Sequence, residues 1–575
     1  MSIDKNNYMM SLKAQLNKLC ISSKEAIVDG NSFEKSKYHT YMHTDRTVDK
    51  DFQRIVEKAS KKENQQLILL VGNVGDGKSY LLSMLKQKHS QLSKTFKFHN
   101  DATESNDKNK TYLDTLKEIL DPFNDNNIKK TKNEKIILAI NLGTLTNFID
   151  NCGDEYKGFT KYIKDMKILE SNITEDNPTE NEHFQFINLT DYQIFSLTQD
   201  GPKSDLIMNL LNKITNKSDD NPFYSSYKFH KEAHENCPIK YNYELLMEDN
   251  IKKKIESLLI EIIIKFKLIV SIRTLLNFFH DLLVPSELAA LSEADYIKKI
   301  SKFDKDKEEL LSYIFLNYLF EHQGVSDIFS CFYEIDPLGF SNKKTETMIL
   351  NSVSKSFSNS APKEKNEKLD YILKGVENYD LIIKTQIRFY ALTEGYFDKD
   401  KIYDQYVKYL YDAHMHHIRN LKELYETTKK AIFVWNGTSN DEKYINFNIG
   451  CEQNKYQVSK PFSIKSAPNL GNVKKLEYLE KFSLYLNIFF KPENNEESQK
   501  IKIDYGLFKL MSEIQNGYRP NRLDKNNYVH FSKYINQLSE FSGFSDLIVF
   551  SEMNNEKTKQ YKLYVDDFGY HFEEI

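Results

Sequence analysis

The chain has 575 residues, of which 40% are hydrophobic and 28% are charged, a composition typical of a soluble globular protein. The formal net charge is only −4, which excludes a strong overall field that would attract nucleic acid or a membrane surface. Length alone predicts about three or four domains.

Cysteine usage and hydropathy predict a cytoplasmic protein. The five cysteines are far apart and none forms a C-x-x-C pair, which argues against a zinc ribbon or a disulfide framework. Residues 1–7 lack the apolar core of a signal peptide. The most apolar run, residues 255–270, is interrupted by Glu256, Glu261 and two lysines, so we predict no membrane span.

The N-terminal segment, residues 1–50, is predicted to be helical. Leucines at helical spacing indicate a short helix over residues 9–20. Further on, His39 and His43 are four residues apart and could both face a zinc ion from a helix. The glutamate of an H-E-x-x-H motif and a third ligand are missing, so we interpret these histidines as packing or stacking side chains.

The strongest signal in the chain is a glycine-rich loop between a strand and a helix. Residues 67–71 are apolar throughout, as in a strand buried on both faces, and residues 72–79 fit the pattern G-x-x-x-x-G-K-[ST]. Such a loop lets backbone N–H groups and a helix N-terminus surround phosphates. We therefore expect ATP and Mg²⁺ to bind here, with Lys78 on the β- and γ-phosphates and Ser79 on the metal. The predicted cofactor-binding residues are Gly72, Asn73, Val74, Gly75, Asp76, Gly77, Lys78, Ser79 and Tyr80.

Further strands follow the loop at intervals that leave room for helices. An alternating stretch begins at Thr95, and apolar runs cover residues 135–140, 183–189 and 268–272. Strands that alternate with helices predict a parallel α/β sheet, with the nucleotide at the carboxyl ends of the strands. The predicted fold class is a P-loop NTPase core, a parallel sheet flanked by helices.

Three regions are predicted beyond the N-terminal segment. The P-loop ATPase core covers residues 51–285 and includes a polar insertion at residues 202–243. A mostly helical lid or bundle follows over residues 286–415. The remainder, residues 416–575, is read as a C-terminal α+β domain.

Within the C-terminal region we predict short strands mixed with helices. The predicted strands are residues 431–435, 444–449, 500–503, 547–550 and 561–565, and the predicted helices are residues 474–490 and 529–538.

Catalytic acids are harder to place than the loop. ATPases commonly carry Asp-Glu after the third or fourth strand, but the third strand here ends in Asn141 and no strand is followed by that pair. We predict Asp101 and Glu104, which follow the second strand, for the metal and water roles. Asp191, after the fourth strand, is a further catalytic candidate, and Asp76 is expected on the loop surface.

Two asparagines at strand ends, Asn141 and Asn188, could act as polar sensors of the γ-phosphate. The competing hypothesis is a degenerate site that binds ATP and hydrolyses it slowly or not at all.

Arginine is scarce, with seven among 79 basic residues, and where lysine is the default an arginine more often marks a place that needs a planar, bidentate cation. Arg273 and Arg388 each lie at a junction where they could sense a γ-phosphate, within the chain or across an oligomer interface. The alternative for each is an ion pair at a helix end. Arg273 is included among the candidate catalytic residues.

The densest unusual motif of the C-terminal region is residues 516–522, Asn-Gly-Tyr-Arg-Pro-Asn-Arg. A basic loop with an aromatic residue can contact a phosphate backbone. A structural turn that docks on a partner protein explains the motif equally well.

The loop at residues 72–79, followed by Asn-Asp-Ala-Thr-Glu-Ser at residues 100–105, resembles the DptF (DndF) family of DNA phosphorothioation-dependent restriction proteins. Further similarity lies in residues 272–285, 335–337 and 517–521. The glycine loop is common to many NTPases. The Asn-Asp-Ala-Thr-Glu-Ser and Gly-Tyr-Arg-Pro-Asn segments are what restrict the resemblance to this one family.

This resemblance implies a bacterial cytoplasmic ATPase that works with G and H partner proteins, DptG and DptH. Together they restrict DNA that lacks the sulfur-for-oxygen backbone mark of the host, in anti-phage defence, and the H component is the more obvious motor. DNA is then contacted through the complex, and the chain could oligomerise. Two other hypotheses stay open, a nucleotide-dependent assembly scaffold with little turnover and a signalling NTPase that switches another effector.

Overall fold

A computed structural model gives the fold of this chain. It describes residues 11–23, 37–100, 110–130, 133–169, 181–233, 236–303, 305–339, 367–393, 400–439, 443–446, 456–469, 471, 478–493, 495–541, 548–552, 560–566 and 568–574.

Four parallel strands form the first sheet, in the order β2-β3-β1-β4. They are β1 (Gln66–Val71), β2 (Lys97–His99), β3 (Lys135–Ile140) and β4 (Phe184–Asn188). The predicted α/β sheet is thereby confirmed. The helices up to β4 are α1 (Leu12–Leu16), α2 (Lys37–Met42), α3 (Thr47–Ser60), α4 (Lys78–Lys88), α5 (Ser90–Thr95), α6 (Tyr112–Leu120), α7 (Leu142–Cys152) and α8 (Lys157–Asp165).

Both faces of this sheet are covered by helices, because successive side chains of a strand point to opposite faces. Leu67 and Leu69 of β1 belong to an apolar cluster with residues of α6, α7 and α8. Ile68 and Leu70 belong to a second cluster, with Phe52 of α3 and residues of α4. Every residue of β1 and β3 is buried, which is why these strands read as continuous apolar runs.

The region after β4 differs from the prediction. Residues 202–243 were expected to be a polar insertion, but most of this stretch is helical and contributes to the largest apolar cluster. Ile207, Leu210, Leu211 and Ile214 are buried at the i, i+3, i+4, i+7 spacing of an amphipathic helix. The elements here are β5 (Tyr192–Thr198), β6 (Gly201–Lys203), α9 (Asp205–Thr215), α10 (Pro222–Ala233), α11 (Pro238–Leu246) and α12 (Asp249–Phe266).

The predicted fifth strand at residues 268–272 is wrong. Helix α12 ends at Phe266, and the following residue, Lys267, has a positive φ of 55°. A short link then leads directly into helix α13 (Ile272–Leu283). Ile269 is 77% exposed, so the apolar run is not a buried strand. Ser271 caps α13 by accepting a hydrogen bond from the N–H of Thr274.

The described chain from α13 to His414 is helical, as predicted. The helices that follow α13 are α14 (Ser286–Ala289), α15 (Glu293–Ile300), α16 (Lys307–Ser312), α17 (Phe315–Glu321), α18 (Asp327–Glu334), α19 (Glu367–Leu373), α20 (Tyr379–Thr393) and α21 (Lys401–His414).

The C-terminal region mixes helices with antiparallel strands, but two predicted elements are wrong. Residues 431–435 belong to the end of a helix and the residue after it, and most of residues 474–490 form strands where they are described. The elements are α22 (Lys422–Val434), β7 (Tyr444–Asn446), β8 (Tyr456–Pro461), β9 (Ile464–Ser466), β10 (Tyr478–Lys481), β11 (Leu486–Pro492), β12 (Gln499–Ile503), α23 (Tyr505–Gln515), α24 (Arg522–Asn527), α25 (Val529–Phe541), β13 (Ile548–Glu552), β14 (Gln560–Asp566) and β15 (Gly569–Glu574).

One strand pairing joins distant parts of the chain. Strand β10 pairs antiparallel with β5, in the order β10-β5-β6. The largest apolar cluster likewise contains residues from Leu12 to Leu538. The predicted boundaries at residues 50, 285 and 415 stay a prediction. Within the described ranges, no helix combines the length and apolar character needed to cross a bilayer.

Candidate functional site

The glycine loop lies where it was expected, between the carboxyl end of β1 and the first turn of α4. Gly75 and Gly77 have φ values of 90° and 94°, in the left-handed region that favours glycine. A Cβ placed on Gly75 would lie 2.8 Å from the Ser271 hydroxyl, so the loop also packs closely on the start of α13. Val74, at the tip, is 80% exposed.

Lys78, the first residue of α4, folds its side chain back over the loop. Its ammonium donates hydrogen bonds to the carbonyl oxygens of Gly72 (2.8 Å) and Asn73 (2.7 Å). The ammonium of Lys78 therefore lies over the loop, next to the N-terminus of α4. An anion is favoured at this position.

Asp76 lies within the loop and is half-buried, which corrects the expectation that it would lie on the loop surface. Its carboxylate accepts a hydrogen bond from the N–H of Asn73 at 2.6 Å. Burial raises the pKa of Asp76, although this hydrogen bond and the charges of Lys78 and Arg46 act in the opposite direction.

Ser79 connects the loop to the end of strand β2. Its hydroxyl donates a hydrogen bond to the side-chain oxygen of Asn100 at 2.9 Å. Asn100 directly follows β2 and directly precedes Asp101 in the sequence. The predicted acids Asp101 and Glu104 lie outside the described residues. The contact places Asn100 beside the predicted metal ligand.

The polar side chains at the ends of β3 and β4 already form hydrogen bonds within the protein. The Asn141 side-chain oxygen caps α7 by accepting hydrogen bonds from the N–H (2.8 Å) and hydroxyl (2.9 Å) of Thr144. Asn188 donates from its amide to Asp191 at 3.1 Å, and both residues are buried. A Cβ on Gly72 would lie 3.2 Å from the Cβ of Leu189, so the end of β4 touches the loop.

Of the two arginines considered as sensors, only Arg273 lies at the loop. It is in the first turn of α13, and its Cβ is 3.5 Å from a Cβ placed on Gly75. Arg388 lies within α20 and forms ion pairs with Asp336 and Glu321, as the ion-pair alternative expected. Its guanidinium also donates to the side-chain oxygen of Asn317 at 3.0 Å.

Residues before α3 complete the surroundings of the loop, and they were not predicted as site residues. Arg46 donates from Nη1 to the carbonyl of Asp76 at 3.3 Å, and its Nη2 lies 3.5 Å from a Cβ placed on Gly77. That Nη2 is 3.1 Å from Asp49 Oδ1 without hydrogen-bond geometry, and it has no other acceptor among the described residues. The scarcity of arginine was the one sequence signal that pointed to Arg46.

Tyr80 extends the same surroundings on the other side of Ser79. Its hydroxyl shares a hydrogen bond with Nδ1 of His43, and the two rings are 5.6 Å apart. The other ring nitrogen of His43 lies 2.8 Å from Asp45 Oδ1. Burial raises the pKa of Tyr80, so its hydroxyl stays protonated and available as a donor.

Among the described residues, no group of three or more His, Cys, Asp or Glu side chains is arranged to hold a metal ion. Comparisons of the chain with models of known families, with curated proteins and with solved structures found no match.

Proposed function

We propose that this chain binds and hydrolyses ATP with Mg²⁺, as a P-loop ATPase. The observation that carries the proposal is the glycine loop, which joins a buried parallel strand to a helix and contains two left-handed glycines and an inward-folded Lys78. This arrangement presents backbone N–H groups, a helix N-terminus and a cation to one small volume, which suits a polyphosphate.

The residues present fit this role in distinct ways. Lys78 would exchange its two carbonyl partners for phosphate oxygens, which are stronger acceptors because they are charged. Ser79 would supply one oxygen ligand to Mg²⁺. The ion normally keeps several waters and phosphate oxygens, so it needs no cluster of protein carboxylates. Arg273, beside Gly75, would neutralise charge on the γ-phosphate.

The biological setting of the proposal rests on the sequence resemblance to the DptF family. We propose that the chain serves a phosphorothioation-dependent DNA restriction complex together with its G and H components, and that DNA is engaged through the complex. Asp101 and Glu104 are the proposed catalytic acids, with Asp191 as a further candidate.

A second candidate function is a nucleotide-dependent assembly scaffold with little turnover. It is favoured by the end of β3, where the acid common in ATPases is replaced by Asn141 and the side-chain oxygen of that residue caps α7. In this case ATP would order the loop and the start of α13 without being consumed.

ATP turnover by the purified chain tests both functions, measured alone, with duplex DNA and with the G and H components. We expect Lys78→Ala and Glu104→Gln each to lower turnover by about a hundredfold. Lys94→Ala, which removes an exposed lysine of α5, is the matched control and should leave turnover unchanged. Tight ATP binding without turnover under every condition would favour the scaffold. Normal turnover by Lys78→Ala would contradict the proposed site.

A further inference from the structure

An open cavity of about 450 Å³ lies beside the glycine loop, within the size range of small-molecule sites. One wall is the segment between α2 and α3, and the other is the outer face of helix α9. The lining residues that matter here are Tyr41, His43, Thr44, Asn209, Asn212 and Asn216.

The cavity and the loop share a direct connection. His43 lines the cavity, and its Nδ1 is hydrogen-bonded to the hydroxyl of Tyr80, the residue that follows Ser79. Three residues after His43, Arg46 donates to the carbonyl of Asp76 in the loop. The cavity and the phosphate loop are therefore neighbours, linked through His43 and Tyr80.

The chemistry of the lining matches a nucleobase. Asn209 and Asn212 lie on one exposed face of α9, and Asn216 directly follows the helix. The side-chain oxygen of Asn212 accepts a hydrogen bond from Lys252 at 2.8 Å. An asparagine amide offers a donor and an acceptor side by side. The side chain of Asn209 makes no hydrogen bond with any described residue. Thr44 also lines the cavity, and its hydroxyl is buried without a hydrogen-bond partner among the described residues. A buried polar group of this kind is normally hydrogen-bonded.

The same lining favours adenine over guanine. A paired amide matches the amine and ring nitrogen on one edge of adenine, whereas guanine is read best by arginine or lysine. The lysine that lines the cavity, Lys213, donates to the carbonyl of Tyr41 at 2.8 Å and is engaged there. The rings of Tyr41 and His43 supply faces on which a base can stack.

We infer that this cavity binds the adenine base of the nucleotide whose phosphates occupy the glycine loop, with Asn209 and Thr44 as base-recognising residues. The inference rests on the proposed function, because it needs the triphosphate at the loop. It adds a specificity element formed by the segment before α3 and by α9.

Equilibrium binding of three probes tests the inference on the full chain: ATP, GTP and inorganic tripolyphosphate, which has no base. We expect ATP to bind at least about tenfold more tightly than the other two. Asn209→Trp, at an exposed helical position, should fill the cavity and weaken ATP binding by about tenfold, with tripolyphosphate binding unchanged. Thr44→Val removes one hydroxyl at nearly constant volume and should weaken ATP binding selectively. Asn526→Trp, on exposed α24, is the matched control.

The possible outcomes distinguish failure of the base site from failure of the proposed function. Equal affinity for ATP and tripolyphosphate, or full ATP affinity in both Asn209→Trp and Thr44→Val, overturns the base site while the loop proposal stands. If Lys78→Ala binds ATP as tightly as the wild type, or if neither ATP nor tripolyphosphate binds the wild type, the proposed function fails and the base site fails with it.

Discussion

Among single residues, Asp76 places a carboxylate inside a loop that we propose to hold a triphosphate. Burial holds its pKa above the ordinary value of 3.8, because burial penalises the charged form of the carboxylate. Its contribution to stability is therefore present below pH 3.8 and is lost as the pH rises through the higher pKa of the folded state. In its ionised form the carboxylate repels bound phosphate.

We predict that Asp76→Asn binds ATP more tightly than the wild type at pH 8, by about fivefold, since removing one nearby charge in a solvated loop is worth about 1 kcal/mol. Asparagine retains an acceptor for the N–H of Asn73. The measurement is the ratio of wild-type and variant affinities across pH, which cancels the titration of ATP itself. The ratio should approach one as the pH falls below the Asp76 pKa, and a ratio that does not vary with pH would contradict the prediction.

The sequence predicted the position of a site residue only where that residue belongs to one continuous stretch of the chain. The loop, Lys78 and Ser79 follow from one continuous stretch, and their positions are as expected. Arg46 is thirty residues before Asp76, and its contact with the loop arises from the packing of α3 on the sheet, which no local pattern encodes.

The same distinction applies to secondary structure elements. Strands β1 and β3 were predictable because both faces are buried, which requires an unbroken apolar run. Residues 268–272 carry a similar run, but Lys267 ends α12 in the left-handed conformation and the run becomes a link. In β11, alternate residues Leu486, Ile488 and Phe490 are buried, and this period of two was mistaken for part of a helical pattern.

Arginine serves different purposes in helices α13 and α20. Arg273 in α13 adjoins the loop, whereas the Arg388 side chain in α20 is 2% exposed and pairs with Asp336 and Glu321. We predict that Arg388→Met lowers stability by about 3 kcal/mol, because it leaves Asp336 without its charged partner. Arg273→Ala should change stability by less than about 0.5 kcal/mol but should lower ATP turnover.

Thermal unfolding and turnover, measured on both variants, test this contrast. Arg388→Met should unfold about 5 °C below the wild type. Its turnover, measured well below the unfolding temperature, should stay normal. The assignment of the two roles would be wrong if Arg388→Met lost turnover while fully folded, or if Arg273→Ala were the less stable protein.

Across the whole molecule, the end of β4 connects the loop region with the C-terminal region. Leu189 touches Gly72, and the chain then continues into β5, which pairs with β10. At this junction Tyr192 donates to Asp51 Oδ2 at 2.8 Å, and the Lys481 ammonium lies 4.5 Å from the centre of the Tyr192 ring. Residues from two predicted regions, the core and the C-terminal region, therefore meet a few residues beyond the end of β4.

Because β5 begins directly after the segment that touches the loop, we predict that ATP binding slows hydrogen exchange of the β10 amides, residues 478–481, as well as that of the loop. A ligand that orders the loop also restrains the end of β4 and the strand pairing that follows it. Hydrogen–deuterium exchange with and without ATP measures the effect, and Lys78→Ala should abolish the added protection at both places. If ATP protects the loop but leaves β10 unchanged, nucleotide binding is local, and the β5–β10 pairing holds the C-terminal region in place regardless of the nucleotide.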